Sequence, residues 1–191
     1  MPHLTLILGG ARSGKSAYAQ ELARARGGDR VLFVATAQPR DAEMHERIAR
    51  HRGERPASWQ TLEAPRGVGP AVLRWIEAAG ASPAIVLVDC LTLLISNVLL
   101  AQASPLTTAR AEELALAEVR QLLAAARASE ADWIVISNEV GMGVIPPFPL
   151  GRVYRDALGR ANQAMAAAAQ EVLILVAGLP WQLKPSPVFD P

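Results

Sequence analysis

The chain has 191 residues, 51% of them apolar, and a formal charge of +1. That length supports one sizeable core, and that composition excludes a disordered chain. Charge is nearly balanced and no basic run tracks along the chain, so no nucleic-acid partner is expected.

The single cysteine, Cys90, excludes an intrachain disulfide framework and fits a reducing compartment. Leu4 to Leu8 is too short for a signal-peptide core, and Gly9-Gly10 interrupts it. No apolar run approaches the length that crosses a bilayer. The expectation is a soluble cytoplasmic protein without stable membrane insertion.

The predicted elements begin with a buried strand, Leu4 to Leu8, a glycine-rich turn, and a helix from Ser16 to Arg26 ended by Gly27-Gly28. A strand from Val31 to Ala35 follows at once, which makes a βαβ unit and therefore a parallel sheet. Asp41 caps a helix running to His51, with Met44 and Ile48 on one face. Ser58 to Glu63 reads as extended, Val68 to Ala79 as a helix ended by Gly80, and Ile85 to Val88 as a third buried strand closing in Asp89. An apolar helix spans Leu93 to Gln102, and Thr107 or Thr108 caps a long helix to Ala128. Trp133 to Ser137 is a fourth core strand, Val140 to Pro149 a loop, Arg152 to Gln170 a helix, and Val172 to Ala177 the last strand. Residues 1–184 form a single α/β domain, and residues 185–191 a loose tail.

Gly9-Gly10-Ala11-Arg12-Ser13-Gly14-Lys15-Ser16 matches G-x-x-x-x-G-K-[ST] at every required position, between a buried strand and a helix. Glycines let successive N–H groups converge on phosphate oxygens, and the following helix adds its positive end. Lys15 neutralises the outer phosphates of a nucleoside triphosphate, and the Ser16 hydroxyl ligates Mg²⁺. Of 19 basic residues only Lys15 and Lys184 are lysines, so a lysine inside this loop is not a generic positive charge. Asp89, at the end of another buried strand, is the matching metal partner, directly or through water.

A second segment, Asp41 to Pro56, is crowded with arginine and holds two of the three histidines. His51 stands among Arg50, Arg52 and Arg55, a setting that attracts phosphate and keeps imidazole neutral. A neutral imidazole is a competent nucleophile toward phosphorus. His45 is the competitor, about a third of a turn away on an ideal helix and beside Glu46. His3, ahead of the first strand, is incidental. Trp59 and Trp133 read as packing residues. Gly141 to Pro149 reads equally as a cover for a bulky substrate or as a rigid turn.

These residues resemble one enzyme family closely. The loop from Leu8 to Ser16, Ala35-Thr36-Ala37, the run from Glu43 to Arg52, Arg55-Pro56 and Trp59 are similar to the adenosylcobinamide kinase/adenosylcobinamide-phosphate guanylyltransferases. So are Ser137-Asn138-Glu139-Val140-Gly141-Met142-Gly143-Val144-Ile145-Pro146, Arg155-Asp156, Gly159-Arg160 and Asn162-Gln163. The resemblance implies phosphorylation of the aminopropanol hydroxyl of adenosylcobinamide, then transfer of GMP from GTP to adenosylcobinamide phosphate through a GMP-histidine, which falls on His51. It also implies nucleotide contacts at Gly9 to Ser16, Ala35, Thr36, Ala37, Arg52, Gly53, Glu54, Arg55, Glu63 and Asp89, a RecA-like, mostly parallel sheet flanked by helices, and a homotrimer. The Asn-Lys-x-Asp guanine reader is absent, so GTP rests on the resemblance, and ATP is an alternative donor in the kinase step. Glu139 is the guess for that step's general base. The rival readings are a simple P-loop small-molecule kinase with no guanylyl transfer, a nucleotide-responsive binding module, and an oligomeric motor.

Overall fold

Five of the strand segments are continuous apolar runs with no polar alternation, the pattern of strands covered on both faces. The computed structural model describes residues 2–39, 41–53, 55–103 and 105–185 and arranges them accordingly. Chain order is β1 (Leu4–Gly9), α1 (Lys15–Gly27), β2 (Val31–Ala35), α2 (Ala42–Gly53), β3 (Gln60–Glu63), α3 (Val68–Ala79) and β4 (Ile85–Asp89). It continues α4 (Leu91–Leu100), α5 (Thr108–Ala128), β5 (Asp132–Ile136), α6 (Pro149–Ala168), β6 (Glu171–Val176) and β7 (Leu179–Lys184). The sheet order is β3-β2-β4-β5-β1-β6-β7. The first six strands are parallel, so their carboxyl ends share one rim; β7 runs antiparallel to β6.

Alternate residues of the central strands feed two apolar layers. Leu6, Val34, Val86, Val88 and Trp133 pack toward Val72 of α3, Leu122 of α5 and Leu158 of α6. Ile7, Phe33, Leu87, Ile134 and Leu173 pack on the other face against Ala19 and Ala23 of α1. Trp133 and Trp59, two of the four tryptophans, are buried: Trp133 Nε1 donates to Ser129 Oγ at 2.9 Å, and Trp59 Nε1 donates to the Gly28 carbonyl at 3.0 Å.

The capping signals hold. Asp41 Oδ1 accepts from the Met44 N–H at 2.7 Å, and Thr107 Oγ1 accepts from the Arg110 N–H at 3.3 Å. Two helices start earlier than predicted. α4 begins at Leu91, directly after the Asp89 strand, and α6 at Pro149, whose fixed φ and missing N–H suit a first helical position.

One prediction is corrected. Val172 to Ala177 is not the last strand, because Ala177 (φ 52°) and Gly178 (φ 83°) make a two-residue turn into β7. Every residue of β7 is exposed and Pro180 lies within it, so neither burial nor alternation marks it in the sequence. The tail from 186 to 191 lies outside the described residues, as do Arg40, Glu54 and Ser104.

At the rim opposite the strand ends, Glu171 Oε2 accepts from Arg26 Nη2 at 2.9 Å and from Thr5 Oγ1 at 3.0 Å, with His3 Nε2 at 3.7 Å. Burial pushes the Glu171 carboxyl up, but Arg26 and Thr5 outweigh it and hold it below its ordinary 4.5. Its stabilisation is therefore complete above that value and lost as pH falls through the lower folded one. Urea stability of the wild type is expected to fall as pH drops below 4.5, and Glu171→Gln to flatten that acid limb. A variant curve parallel to wild type would show no such linkage.

Candidate active site

The phosphate-binding loop forms where β1 leaves the sheet. A Cβ on Gly9 would collide with Ser13 Oγ and lie 2.9 Å from the Leu175 carbonyl oxygen, so only glycine lets the loop turn this tightly. Gly14 sits at φ 89° just ahead of α1, whose first turn carries no acidic residue to oppose an anion. The Ser13 N–H donates to the Gly10 carbonyl at 3.3 Å, and Lys15 Nζ donates to the same carbonyl at 3.0 Å. Support comes from the neighbouring edge of the sheet. The Gly178 N–H, in the β6–β7 turn, donates to the Ser13 carbonyl at 2.9 Å.

The acidic side of the site is held from β2. The Thr36 N–H donates to the Asp89 carbonyl at 3.1 Å. Its hydroxyl accepts from the Cys90 N–H at 2.7 Å and donates to the Cys90 carbonyl at 2.8 Å, while Asn97 Nδ2 donates to the Thr36 carbonyl at 2.8 Å. Thr36 is fully buried, and its hydroxyl is engaged by the backbone that carries Asp89. Burial, and then Asp89, pushes the Cys90 thiol up to about 12, so it stays protonated and is no nucleophile.

Two cavities meet at Lys15 and Ser16. The smaller, about 210 Å³, brings together Lys15, Ser16, Ala35, Ala37, Arg52, Arg55, Glu63 and Asp89, all of them expected site residues. The larger, about 790 Å³, runs from Ala11, Arg12, Ser13 and Gly14 along Gln20 and Arg24 of α1 toward Trp59. Helix α2 stands between them: Met44, Ile48 and Arg52 line the small cavity, Glu46 and Arg50 the large one. Arg55 lies 3.6 Å over the Phe33 ring. Burial lowers its pKa, Asp89 opposes that, and Arg52 adds to the lowering. Phe33 was legible only as core; its place under Arg55 depends on the register of β2.

A sequence model of the family described as cobinamide kinase / cobinamide phosphate guanyltransferase matches residues 5–183, the segment that carries both cavities. The chain belongs to that family. Among its relatives, the bifunctional adenosylcobalamin biosynthesis protein CobP of Pseudomonas aeruginosa is 44% identical over 96% of this chain and 98% of its own. The proteins of that description called CobU from Salmonella typhimurium and Escherichia coli are 37% and 38% identical, each over 95% of this chain and 99% of theirs. In fold, the chain is similar to the flagellar accessory protein FlaH of Methanocaldococcus jannaschii. The TM-score is 0.50 at 14% identity, over 96% of this chain and 80% of that one.

Within this cobinamide kinase/guanyltransferase fold the remaining candidates separate. His45 is exposed, with Nδ1 3.1 Å from the Asp41 carbonyl oxygen at the start of α2. Position 51 falls in the last turn of α2, three residues after Ile48; the side chain of His51 lies outside what is described. Gly53 is exposed at the end of that helix. Glu139 lines neither cavity; its N–H donates to the Gly9 carbonyl at 3.1 Å and its Oε1 accepts from the Gly141 N–H at 2.7 Å. The following loop exposes Met142, Val144, Ile145 and Phe148, and Arg152 Nη1 pins its end on the carbonyls of Pro146 and Pro147 at 3.0 and 2.9 Å. It is thus anchored at the helix and apolar at its tip. Thr92 and Asn138 also line the small cavity, and the sequence did not single either out by role.

Among the described residues no group of three or more His, Cys, Asp or Glu could hold a metal alone. Ser16 and Asp89 fit Mg²⁺, a hard cation that keeps waters and takes phosphate oxygens for most of its shell. No helix among them is long and apolar enough to cross a membrane.

Thr36→Val keeps the shape of Thr36 but leaves the buried Cys90 N–H without an acceptor. It is expected to cost about 2 kcal/mol in urea unfolding and to raise the Mg²⁺ concentration needed for activity. An unchanged metal requirement would show that Thr36 does not steer Asp89.

Proposed function

We propose that the chain carries out both reactions in the family description. It phosphorylates adenosylcobinamide with GTP or ATP, then transfers GMP from GTP to adenosylcobinamide phosphate, giving adenosyl-GDP-cobinamide. The observation that carries this reading is the small cavity, where the lysine and serine of a phosphate-binding loop face Asp89, Glu63, Arg52 and Arg55. A phosphate grip beside arginines and two carboxylates suits a nucleotide whose inner phosphate is attacked while its outer phosphates leave.

His51 is the nucleophile in this reading. A neutral imidazole nitrogen attacks the α-phosphorus, the α–β bridging bond breaks, and pyrophosphate leaves from the loop. An oxygen of adenosylcobinamide phosphate then attacks the same phosphorus, and the N–P bond breaks to regenerate the imidazole. Dividing the transfer into two displacements is what covalent catalysis supplies. Support for His51 over His45 is positional: residue 51 continues the Met44–Ile48 row that lines the small cavity, whereas His45 is turned to solvent. Arg52, Gly53, Glu54 and Arg55 follow it, and we assign the nucleotide contacts to them with Ala35, Thr36, Ala37, Glu63, Asp89 and Gly9 to Ser16. Bound Mg²⁺ would be held by Ser16 and Asp89 and would offset charge on the phosphates.

The reading extends to a homotrimer in the cytoplasm. Val176, Leu179 and Trp181, on one face of the β6–β7 hairpin, are 60%, 73% and 69% exposed, an apolar surface of the kind subunits cover.

The test uses GTP labelled at the α-phosphate. After denaturation the wild-type chain is expected to retain an acid-labile label, and His51→Asn none. Equal labelling of the variant would refute the nucleophile assignment and move it to His45.

A further inference from the structure

The end of β5 holds a polar arrangement that the loop chemistry leaves unused. β5 lies between β4, which ends in Asp89, and β1, which leads into the phosphate-binding loop. Residues after Ile136 therefore emerge between the metal-side carboxylate and the phosphate grip. Ser137, fully buried, donates to Asn162 Oδ1 at 2.6 Å. The backbone of Asn138 is then fixed from both sides. Its N–H donates to Thr92 Oγ1 at 2.7 Å, and its carbonyl accepts from Asn162 Nδ2 at 3.0 Å. Thr92 is itself held, because its carbonyl accepts from Tyr154 Oη at 3.1 Å.

The carboxamide of Asn138 is different. It makes no hydrogen bond with the protein among the described residues, and Asn138 is one of the residues lining the 210 Å³ cavity with Lys15, Ser16 and Asp89. Buried polar networks of this kind rigidify one backbone arrangement when every member is satisfied. Here the side chains of Thr92 and Asn162, themselves held by Tyr154 and Ser137, immobilise a residue whose own side chain has no hydrogen-bond partner among the described residues. A carboxamide offers a donor and an acceptor a bond apart, without a charge that would repel phosphate.

We propose that Asn138 is a catalytic residue of the phosphoryl-transfer step, its carboxamide nitrogen donating to a γ-phosphoryl oxygen while its oxygen accepts from the acceptor hydroxyl. This rests on the bifunctional reading above. The hydroxyl oxygen forms the new bond to the γ-phosphorus, and the β–γ bridging bond breaks. The nucleoside diphosphate leaves with the electron pair, and the hydroxyl proton passes to a phosphoryl oxygen and then to water. Little proton transfer is needed early in such a loose transition state, so alignment and charge stabilisation are what a side chain contributes. In guanylyl transfer the reacting centre is the α-phosphorus, two phosphates away, and a side chain fixed at the γ-position has less to offer.

The experiment measures both reactions separately, phosphorylation of adenosylcobinamide and GMP transfer to preformed adenosylcobinamide phosphate. Asn138→Ala is expected to lower kcat of phosphorylation about 100-fold, the loss seen when one aligned transition-state donor is removed, with KM for GTP little changed. The ratio of kinase to transferase rate should fall at least about 30-fold, since only one reaction uses the donor. Asn138→Asp, which keeps the shape but replaces the donor with a charge, should show the same split, and its melting curve controls for folding. Retention of the kinase rate in either folded variant, or an equal fall in both reactions, overturns the proposal. A wild type that transfers GMP without phosphorylating overturns this proposal and the bifunctional reading together. A wild type with both activities that is indifferent to Asn138 overturns this proposal alone.

Discussion

A loop whose amides are to face a ligand can spend few of them on holding itself together. That constraint organises the structure. Gly9 passes close to Ser13 and the Leu175 carbonyl, and the Ser13 carbonyl takes the N–H of Gly178 from the β6–β7 turn. The loop is thereby braced by its own strand and by the edge of the sheet, with the Ser13 N–H turned inward, to the Gly10 carbonyl. The antiparallel β7, exposed throughout, serves the site through the turn that introduces it.

The opposite wall solves a related problem with different means. The Asp89 carboxylate must keep its place although its neighbours in the small cavity are charged. Thr36 ties the backbone of Asp89 and Cys90 to β2, and Asn97 ties Thr36 to the segment between β3 and α3 through the Pro65 carbonyl. Charge within the small cavity is mixed: Lys15, Arg52 and Arg55 face Glu63 and Asp89. Phosphates entering there meet three cations and two carboxylates, so the small cavity keeps a cationic excess for an anion to offset.

Helix α2 contributes to both cavities with one short segment. Its four-residue spacing puts Met44, Ile48 and Arg52 on one side and Glu46 and Arg50 on the other. A single helix thereby separates the loop's outer approach from the space beside Asp89. An enzyme with two reactions and one phosphate grip has a use for such a divider, since the two reactions attack different phosphorus atoms of the triphosphate.

The residues alone determined the α/β class and six of the seven strands, and they singled out Lys15, Ser16 and Asp89, which line one cavity. Unbroken apolar runs, glycines and strand-terminal Asp89 are local signals that survive without knowledge of neighbours. What stayed hidden depends on which strands lie side by side. β7 has neither burial nor alternation to mark it. Phe33 under Arg55, Gly178 beneath Ser13, and Asn138 between Asp89 and Lys15 join residues far apart in the chain. Only the order of strands in the sheet brought them together, because hydrogen bonding across strands, not proximity in sequence, sets which loop ends share a rim.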